Sequence, residues 1–359
     1  MNQKRVSLLL LFSLLITSVP ESASATTDQT TLTLIKTITG SIAPKSVQAS
    51  NDGLVSAHNM MYRHSVTIYD AETMQLKQTI PDTVRLSDFG YSKYSGTYKG
   101  APVEGAFSPD GEYLYFTNYA MYGKRFNKEG TDTCSPASGY DKSFLSRVNL
   151  AKGEIDAVYP VGSVPKVVKV TPDNKYILVS NWCSYTVSII SVETQKTVKS
   201  IKIGCYPRGI SISGDSKFAY VAEMGGNRIH RIDLDNFALD YIPIGSNPRA
   251  IELSPDGSKL YATLNISGKV IAWDLTADKA IKTVSTGKSA RSLAISSDGS
   301  ALFVVNFRSG TPSKVKTSNM KVTQNIKVCA APIGVTYDSV NSRTWVACYG
   351  GSIKVFANQ

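Results

Sequence analysis

Short segments in which apolar and polar residues alternate follow one another from about residue 31 to the end of the chain. Alternation with a period of two is typical of β-strands that bury one face, and turn residues separate the segments. Helical periodicity is nearly absent. The pattern therefore predicts an all-β protein.

One unit recurs at an almost constant spacing. It contains a Gly, two or three residues, a Pro, often a basic residue, a strand, a turn and a second strand. The later copies are spaced by 42, 41, 42 and 42 residues and begin at Gly162, Gly204, Gly245, Gly287 and Cys329. Earlier copies begin at Gly40 and Gly100. Four short strands in about 42 residues is the period of a β-propeller blade.

Two short motifs mark the inside of each unit. Turns of the S-P-D-G type begin at Ser108, Thr171, Ser213, Ser254 and Ser296, and their residues supply the dihedral angles of a turn between strands. The next strand carries a tetrad such as Y-F-T-N, L-V-S-N or Y-V-A-E, and the tetrads end at Asn118, Asn181, Glu223, Asn306 and Cys348.

The length of the chain predicts seven units. Most of the chain is accounted for by seven blades of about 42 residues, and the surplus falls in two insertions, roughly residues 82–99 and 119–143. The last unit has only three strands, whereas residues 31–37 form a spare strand. We therefore expect one seven-bladed β-propeller domain over residues 26–359, closed by an N-terminal strand that completes the last blade and leaves no open sheet edge.

Residues 1–25 predict an export signal. Lys4 and Arg5 precede an apolar run, and small residues end at Ala25. The apolar run is shorter than the roughly 20 residues of a membrane span. Cleavage after Ala25 lowers the formal charge from +11 to +10, because Lys4, Arg5 and Glu21 are lost. We expect an exported monomer in the periplasm, on the cell surface or outside the cell, with no transmembrane segment in the mature chain.

The G-x-x-P unit, the S-P-D-G turn and the Y-V-T-N-like tetrad resemble those of the YVTN-repeat β-propeller family, a neighbour of the lactonase-like and YncE-like seven-bladed propellers. The resemblance covers about residues 31–356. It implies the propeller fold, and it implies an exported or cell-surface binding protein as the function.

The candidate binding residues gather on one face of such a propeller. The G-x-x-P segments and the tetrad ends lie together on the face that we call upper, and both insertions are loops of this face, where binding often occurs. The residue after the repeat's Pro, or after Ala290, is basic in five blades and forms what we call the basic ring: Lys45, Lys166, Arg208, Arg249 and Arg291. Glu104 holds the matching offset from Gly in blade two, and Ile333 interrupts the pattern in blade seven.

Each basic-ring residue begins an innermost strand, so the side chains should converge on the upper mouth of the central channel. Like charges repel unless an anion or acidic side chains neutralise them. The ring is therefore either an anion-binding funnel or a set of structural clamps on neighbouring carbonyl groups. The same two interpretations, ligand contact or loop support, apply to Asn118, Asn181, Glu223, Asn306 and Trp182. The tyrosine-rich insertions suit either a binding wall or loop anchors.

Five cysteines in an exported chain predict disulfides with one thiol left over. Cys329 and Cys348 should be neighbours in blade seven and form one pair. A bridge between Cys134 and Cys183 would fasten the second insertion to blade three. Cys205 is then the remaining thiol, although Cys183–Cys205 is a rival pairing.

Catalytic, metal and cofactor motifs are missing from the sequence, which has three histidines and no H-E-x-x-H or G-x-S-x-G. We expect no metal and no cofactor. Nucleic acid is a poor candidate, since Lys and Arg form no long run. The prediction is a non-enzymatic binding protein for an anionic small molecule, a glycan or an acidic protein surface. One alternative is a lactonase-like hydrolase or lyase with His58 or Glu104 as its base, and the other is a purely structural envelope protein.

Overall fold

A computed structural model describes residues 31–358, and seven β-sheets form the fold. The predicted export signal over residues 1–25 lies outside the described residues. Each sheet is antiparallel, and in six of them the strands follow chain order from the channel outwards. In the seventh sheet the N-terminal strand is the outermost one. The innermost strand of every blade contacts that of the next blade, and the seventh contacts the first. The sheets therefore form a closed seven-bladed β-propeller, which confirms the predicted fold.

The strands of blades one to three have these bounds. Blade one contains β2 (Ser46–Ala49), β3 (Leu54–Asn59), β4 (Ser65–Asp70) and β5 (Leu76–Pro81). Blade two contains β6 (Thr83–Val84), β7 (Tyr98–Phe107), β8 (Tyr113–Tyr122), β9 (Phe144–Asn149) and β10 (Glu154–Pro160). Blade three contains β11 (Pro165–Val170), β12 (Tyr176–Asn181), β13 (Thr186–Ser191) and β14 (Thr197–Lys202).

Blades four to seven repeat the pattern. Blade four contains β15 (Pro207–Ile212), β16 (Phe218–Glu223), β17 (Arg228–Asp233) and β18 (Leu239–Ile242). Blade five contains β19 (Pro248–Leu253), β20 (Lys259–Leu264), β21 (Lys269–Asp274) and β22 (Lys279–Ser285). Blade six contains β23 (Ala290–Ile295), β24 (Ala301–Asn306), β25 (Thr311–Lys316) and β26 (Lys321–Asn325). Blade seven contains β27 (Pro332–Asp338), β28 (Arg343–Cys348), β29 (Ser352–Asn358) and β1 (Leu32–Ile38).

Ring closure follows the expected route. β1 pairs antiparallel with β29, from Leu32 opposite Asn358 to Ile38 opposite Ile353. The side chain of Leu32 is only 3% exposed, and its N–H donates to Oε1 of Gln324 in blade six. The N-terminal strand therefore completes blade seven and also touches its neighbour.

The core lies between the blades rather than at the centre of the ring. Second strands such as β12 are buried along nearly their whole length, whereas the outermost strand β14 is mostly exposed. Trp345 of blade seven is fully buried and its ring lies 6.2 Å from that of Tyr69 in blade one. Comparable apolar clusters fill each of the six remaining gaps between blades. Each blade is therefore stabilised by both of its neighbours.

The two insertions carry little regular structure. The first contains β6, which adds a short fifth strand to blade two, and a 3-10 helix over Leu86–Phe89. The second contains a 3-10 helix over Pro136–Ser138. Apolar clusters attach the first insertion to blade two and the second to blade three. Within residues 31–358, no helix combines the length and the apolar character needed to cross a bilayer.

Candidate functional site at the channel mouth

A β-bulge places most of the basic ring at the mouth. The Pro that opens the innermost strand pairs with the last tetrad residue, as in Pro207 opposite Glu223, and the register then shifts before Ile210 pairs with Val221. Blades three and five shift in the same way. The basic residue occupies this irregular stretch, and bulges commonly redirect a side chain. In blade one Lys45 directly precedes β2, where the pairing is regular.

The strand register corrects the position of Glu104. Pro102 pairs with Asn118 and is therefore the repeat's Pro, so Val103 takes the place held by Lys166 in blade three. Glu104 lies one residue further along, matching Val167. The predicted offset was wrong because it was counted from Gly100, whereas Pro comes one residue early in this blade.

Four of the five basic-ring side chains are buried, and the ring contains more positive than negative groups. Lys45, Lys166, Arg208 and Arg249 are each at most 8% exposed. Burial and the neighbouring Arg291 hold the pKa of Arg249 well below its ordinary value. The pKa of Lys45 is lowered by burial and by the other four cations of the ring. Burial and Arg208 lower the pKa of Lys166 to about 7 and that of Arg291 to about 10. A cation in this ring is therefore destabilised by both its burial and its neighbours.

Two carboxylates oppose these five cations. Glu104 Oε1 lies 2.9 Å from Nη2 of Arg208, and Asp132 Oδ1 lies 3.3 Å from Nζ of Lys166. Burial raises the pKa of Glu104, but Arg208 and Lys45 outweigh that effect and hold it below its ordinary value. No carboxylate in the described part of the chain forms an ion pair with Lys45, Arg249 or Arg291.

Two of the three cations without an ion pair, Arg249 and Arg291, are contacted by groups that do not cancel their charge. Arg249 donates from Nε to the carbonyl of Arg291 at 3.0 Å, and its Nη1 lies 3.3 Å from Sδ of Met224. The guanidinium of Arg291 lies 4.4 Å from the ring centroid of Phe307. Two buried donors, Nη1 of Arg208 and Nε of Arg291, lack any hydrogen-bond partner within residues 31–358. Buried donors of this kind are rare in folded proteins.

Sequence reasoning named Trp182 but did not recognise it as one member of a second set of residues at the mouth. We call it the collar, because each member directly follows the tetrad of its blade: Tyr119, Trp182, Met224, Phe307 and Tyr349. Lys166 Nζ lies 4.3 Å from the ring centroid of Tyr119 and 5.3 Å from that of Trp182. Aromatic faces attract cations without neutralising them. The signal was present in the repeat, since the residue after the tetrad is aromatic or Met in these five blades.

The tetrad ends themselves support loops. Asn118, Asn181 and Asn306 are fully buried. Asn181 accepts from the N–H of Gly162 at 2.9 Å and donates to Ser188, and Asn306 accepts from the hydroxyl of Thr286. Their side chains are engaged inside the blades and do not line the channel cavity.

Glu223 and Trp182 also make contacts within the fold. Glu223 accepts from the N–H of Cys205 and lies 2.9 Å from Nε2 of His230, which is buried. Trp182 donates from Nε1 to the carbonyl of Asp132 and stacks on Tyr206 at 4.5 Å. Of these two, Trp182 alone approaches the basic ring.

The histidines of blade one lie on either side of its upper loop. His58 is fully buried, and its Nδ1 lies 2.9 Å from the hydroxyl of Ser46. Its Nε2 has no partner among the described residues and faces Gly105, where an added Cβ would lie 2.1 Å away. Burial lowers the pKa of His58 to about 4, against the opposing effect of Glu104. His64 lies 2.6 Å from the carbonyl oxygen of Gly100.

A cavity of about 110 Å³ lies along the channel between the innermost strands. Arg208, Arg249 and Arg291 line it together with Glu104. Lys169 and Glu252 line it further along the same strands. The structure therefore brings three of the five basic-ring residues onto one cavity, whereas Lys45 and Lys166 do not line it.

Both predicted disulfides are present. Cys329 bonds to Cys348 across the first two strands of blade seven, with Cα atoms 6.2 Å apart, and Cys134 bonds to Cys183, with Cα atoms 5.4 Å apart. Cys205 is a free and exposed thiol, so the rival Cys183–Cys205 pairing is not formed. Disulfides are typical of an oxidising, exported environment. In the described ranges, no group of His, Cys, Asp and Glu is arranged to hold a metal ion.

These features define a seven-bladed β-propeller with a basic channel mouth. Within that class, residues 131–300 match the family described as YNCE-like beta-propeller, which confirms the resemblance inferred from the repeats.

A curated relative and a solved structure extend the comparison. Antigen Lp49 of Leptospira interrogans serogroup Icterohaemorrhagiae serovar copenhageni (strain Fiocruz L1-130) is 30% identical over 152 residues. That match covers 40% of this chain and 33% of the antigen, so the chain spans about a third of that relative's length. The structure described as Kuenenia stuttgartiensis Hydrazine Synthase superposes with a TM-score of 0.68 at 16% identity, covering 89% of this chain and 96% of that one. The second likeness shows the fold alone.

Proposed function

We propose that this protein is an exported binding protein that holds a small anion at the upper mouth of its channel. The observation that carries the proposal is the uncompensated charge: five basic side chains, four of them buried, face two carboxylates, and two guanidinium donors have no partner in the described structure. Guanidinium groups match carboxylate and phosphate oxygens in a planar, two-pronged geometry. The cavity lined by three arginines favours a small molecule over a glycan chain or a protein surface.

The hydrolase alternative has weaker support. Arg208 and Lys45 keep Glu104 ionised, so its carboxylate is a weak base at neutral pH. His58 is fully buried against Gly105 and does not line the cavity. A purely structural role is also less favoured, because the insertions leave the channel cavity open between the innermost strands.

Sulfate and citrate are suitable anions for a test by calorimetry at low ionic strength. We expect Arg291→Met to weaken their binding about tenfold or more, the loss of a charge-assisted contact. The thermal midpoint should stay level or rise, because a partly buried cation with no carboxylate partner is removed. Arg308→Met, at an exposed position of the same blade, is the matched control and should change neither property.

Sulfate affinity should also rise as the pH falls from 8 to 6. Protonation of Lys166, whose pKa is about 7, adds a positive charge to the ring over that range, whereas sulfate keeps its charge. Equal binding by wild type and Arg291→Met, or no binding of either anion at millimolar concentration, would refute the proposal.

A further inference from the structure

Lys166 lies in an environment unlike that of an ordinary surface lysine. It is the second residue of β11, and its side chain is 6% exposed. Nζ lies 3.3 Å from Asp132 Oδ1 and over the ring of Tyr119 at 4.3 Å, with the ring of Trp182 at 5.3 Å. The amine is thus enclosed by two aromatic side chains and touches one carboxylate.

The second insertion holds that carboxylate in place. Trp182 donates from Nε1 to the carbonyl of Asp132 at 3.1 Å, and the adjoining segment is covalently tied to blade three through Cys134 and Cys183. The side chain of Asp132 is nevertheless 80% exposed. The contact between Nζ and Oδ1 therefore lies at the boundary with solvent, where a small molecule can reach it.

The charge around Lys166 favours the neutral amine. Burial and Arg208 lower its pKa to about 7, against the opposing effect of Asp132. A substantial fraction of the amine is then unprotonated at neutral pH, whereas an ordinary lysine is unprotonated in only about one molecule in a thousand. Neutral lysines next to other cations are effective nucleophiles towards carbonyl groups.

We propose that Lys166 captures the carbonyl group of a small 2-oxo acid as a Schiff base, with Asp132 relaying protons. This inference rests on the proposed function, because the arginines that line the cavity would hold the carboxylate of the same molecule. Lys166 and Asp132 thereby add a covalent step to what is otherwise a binding site.

The step balances without an oxidant or reductant. Nζ attacks the carbonyl carbon, a C–N bond forms, and the π electrons of the carbonyl move to its oxygen. Before this attack the Asp132 carboxylate takes one of the three ammonium protons, so that the attacking amine is neutral. That proton and a second one from Nζ then pass through Asp132 to the carbonyl oxygen, the C–O bond breaks, and the oxygen leaves as water. The third proton stays on the nitrogen of the resulting C=N bond, and the net charge is unchanged.

Borohydride trapping with pyruvate tests the proposal on the full-length exported chain. Sodium borohydride reduces a Schiff base to a stable secondary amine, and peptide mass spectrometry locates it. At pH 7 we expect Lys166 to be labelled at least about ten times faster than Lys169, because the pKa of Lys166 is lowered. The rate should reach half its maximum near pH 7, whereas an ordinary lysine requires a pH near 10.

Variants separate a reactive lysine from a structural one. Lys166→Arg keeps the positive charge and should lose the labelling, whereas Lys175→Arg, at an exposed position of the same blade outside the cavity lining, should retain it. Asp132→Asn should slow the labelling at an unchanged thermal midpoint. Labelling spread evenly over the lysines, or labelling that survives in Lys166→Arg, would overturn the inference.

Binding of L-lactate, which has no carbonyl group beside its carboxylate, distinguishes the two proposals. If wild type and Lys166→Arg bind lactate but pyruvate leaves no label, the covalent step is wrong and the anion site stands. If neither protein binds lactate, sulfate or citrate, the anion site fails as well.

Discussion

At the scale of single residues, Asp82 is the most unusual buried group outside the channel. Its backbone N–H bonds to the carbonyl of His64. The N–H groups of Val161, Ile203 and Ile244 make the equivalent bond in blades two to four, so the carboxyl occupies a position that is apolar in those blades. It is fully buried, and neither oxygen has a partner among the described residues. Burial raises its pKa well above the ordinary value.

Asp82 should make stability depend on pH. Because its folded-state pKa is raised, the folded state binds the proton more tightly than the unfolded state does. Stability is then greatest below the ordinary Asp pKa and falls as the pH rises towards the folded-state value. Asp82→Asn keeps the shape without the charge, so it should exceed wild type at pH 8 by about 1–3 kcal/mol.

Chemical denaturation at pH 4.5 and at pH 8 measures this effect. The advantage of Asp82→Asn should shrink at the lower pH. Asp88→Asn, with an aspartate that is 59% exposed, serves as the control and should show no such trend. An advantage that is equal at both pH values would mean that the Asp82 charge is not responsible.

At the scale of elements, the second insertion depends on its attachments more than on regular structure. Tyr119 donates from its hydroxyl to the carbonyl of Gly130, and Tyr185 donates to that of Cys134. The bridge from Cys134 to Cys183 adds a covalent link across 49 residues of sequence. These links hold Asp132 over Lys166, so the loop contributes to the site without a strand of its own.

Removing that bridge should loosen the insertion but leave the propeller folded. In Cys134→Ser/Cys183→Ser we expect trypsin to cleave after Lys128 or Lys142 about tenfold faster. Without the cross-link the insertion unfolds locally more often, and trypsin cleaves the unfolded segment. Hydrogen exchange in residues 124–142 should increase. Cys205→Ser removes the free thiol and should match wild type, whereas equal cleavage in all three proteins would show that noncovalent contacts suffice.

At the scale of the whole molecule, stability depends on closing the ring. Each blade packs on two neighbours, and β1 supplies the last strand of blade seven from the opposite end of the chain. Without it, β29 would present an open edge, and open edges promote association with other chains.

Leu32→Ala should therefore destabilise the entire propeller. The side chain is 3% exposed and packs in the cluster between blades six and seven, so we expect a loss of about 2–4 kcal/mol in the free energy of unfolding. Leu34→Ala on the same strand is the control, because Leu34 is 50% exposed. Denaturant titration compares them, and equal stabilities would indicate that β1 adds little to the ring.

Most of the architecture can be predicted from the sequence repeat. Blade number, turn positions, the closing strand and the pairing of Cys329 with Cys348 follow from a spacing of about 42 residues, because copies of one unit must pack side by side around an axis. The pairing of Cys134 was left open, because that residue lies in an insertion outside the repeat. The convergence of Lys45, Lys166, Arg208, Arg249 and Arg291 follows from the same symmetry, and the other four cations all lower the pKa of Lys45.

Departures from the repeat emerged only in three dimensions. Glu104 reaches Arg208 across the channel, 104 residues away in sequence, and Asp132 meets Lys166 from a loop that no repeat describes. Asp82 begins the first insertion, and its burial depends on the path of the chain from blade one into that insertion. The collar residues are recognised only by their contacts with the cations of the basic ring. Local patterns specify strands and turns, whereas the pairing of charges depends on distances between blades, which arise when the whole ring packs.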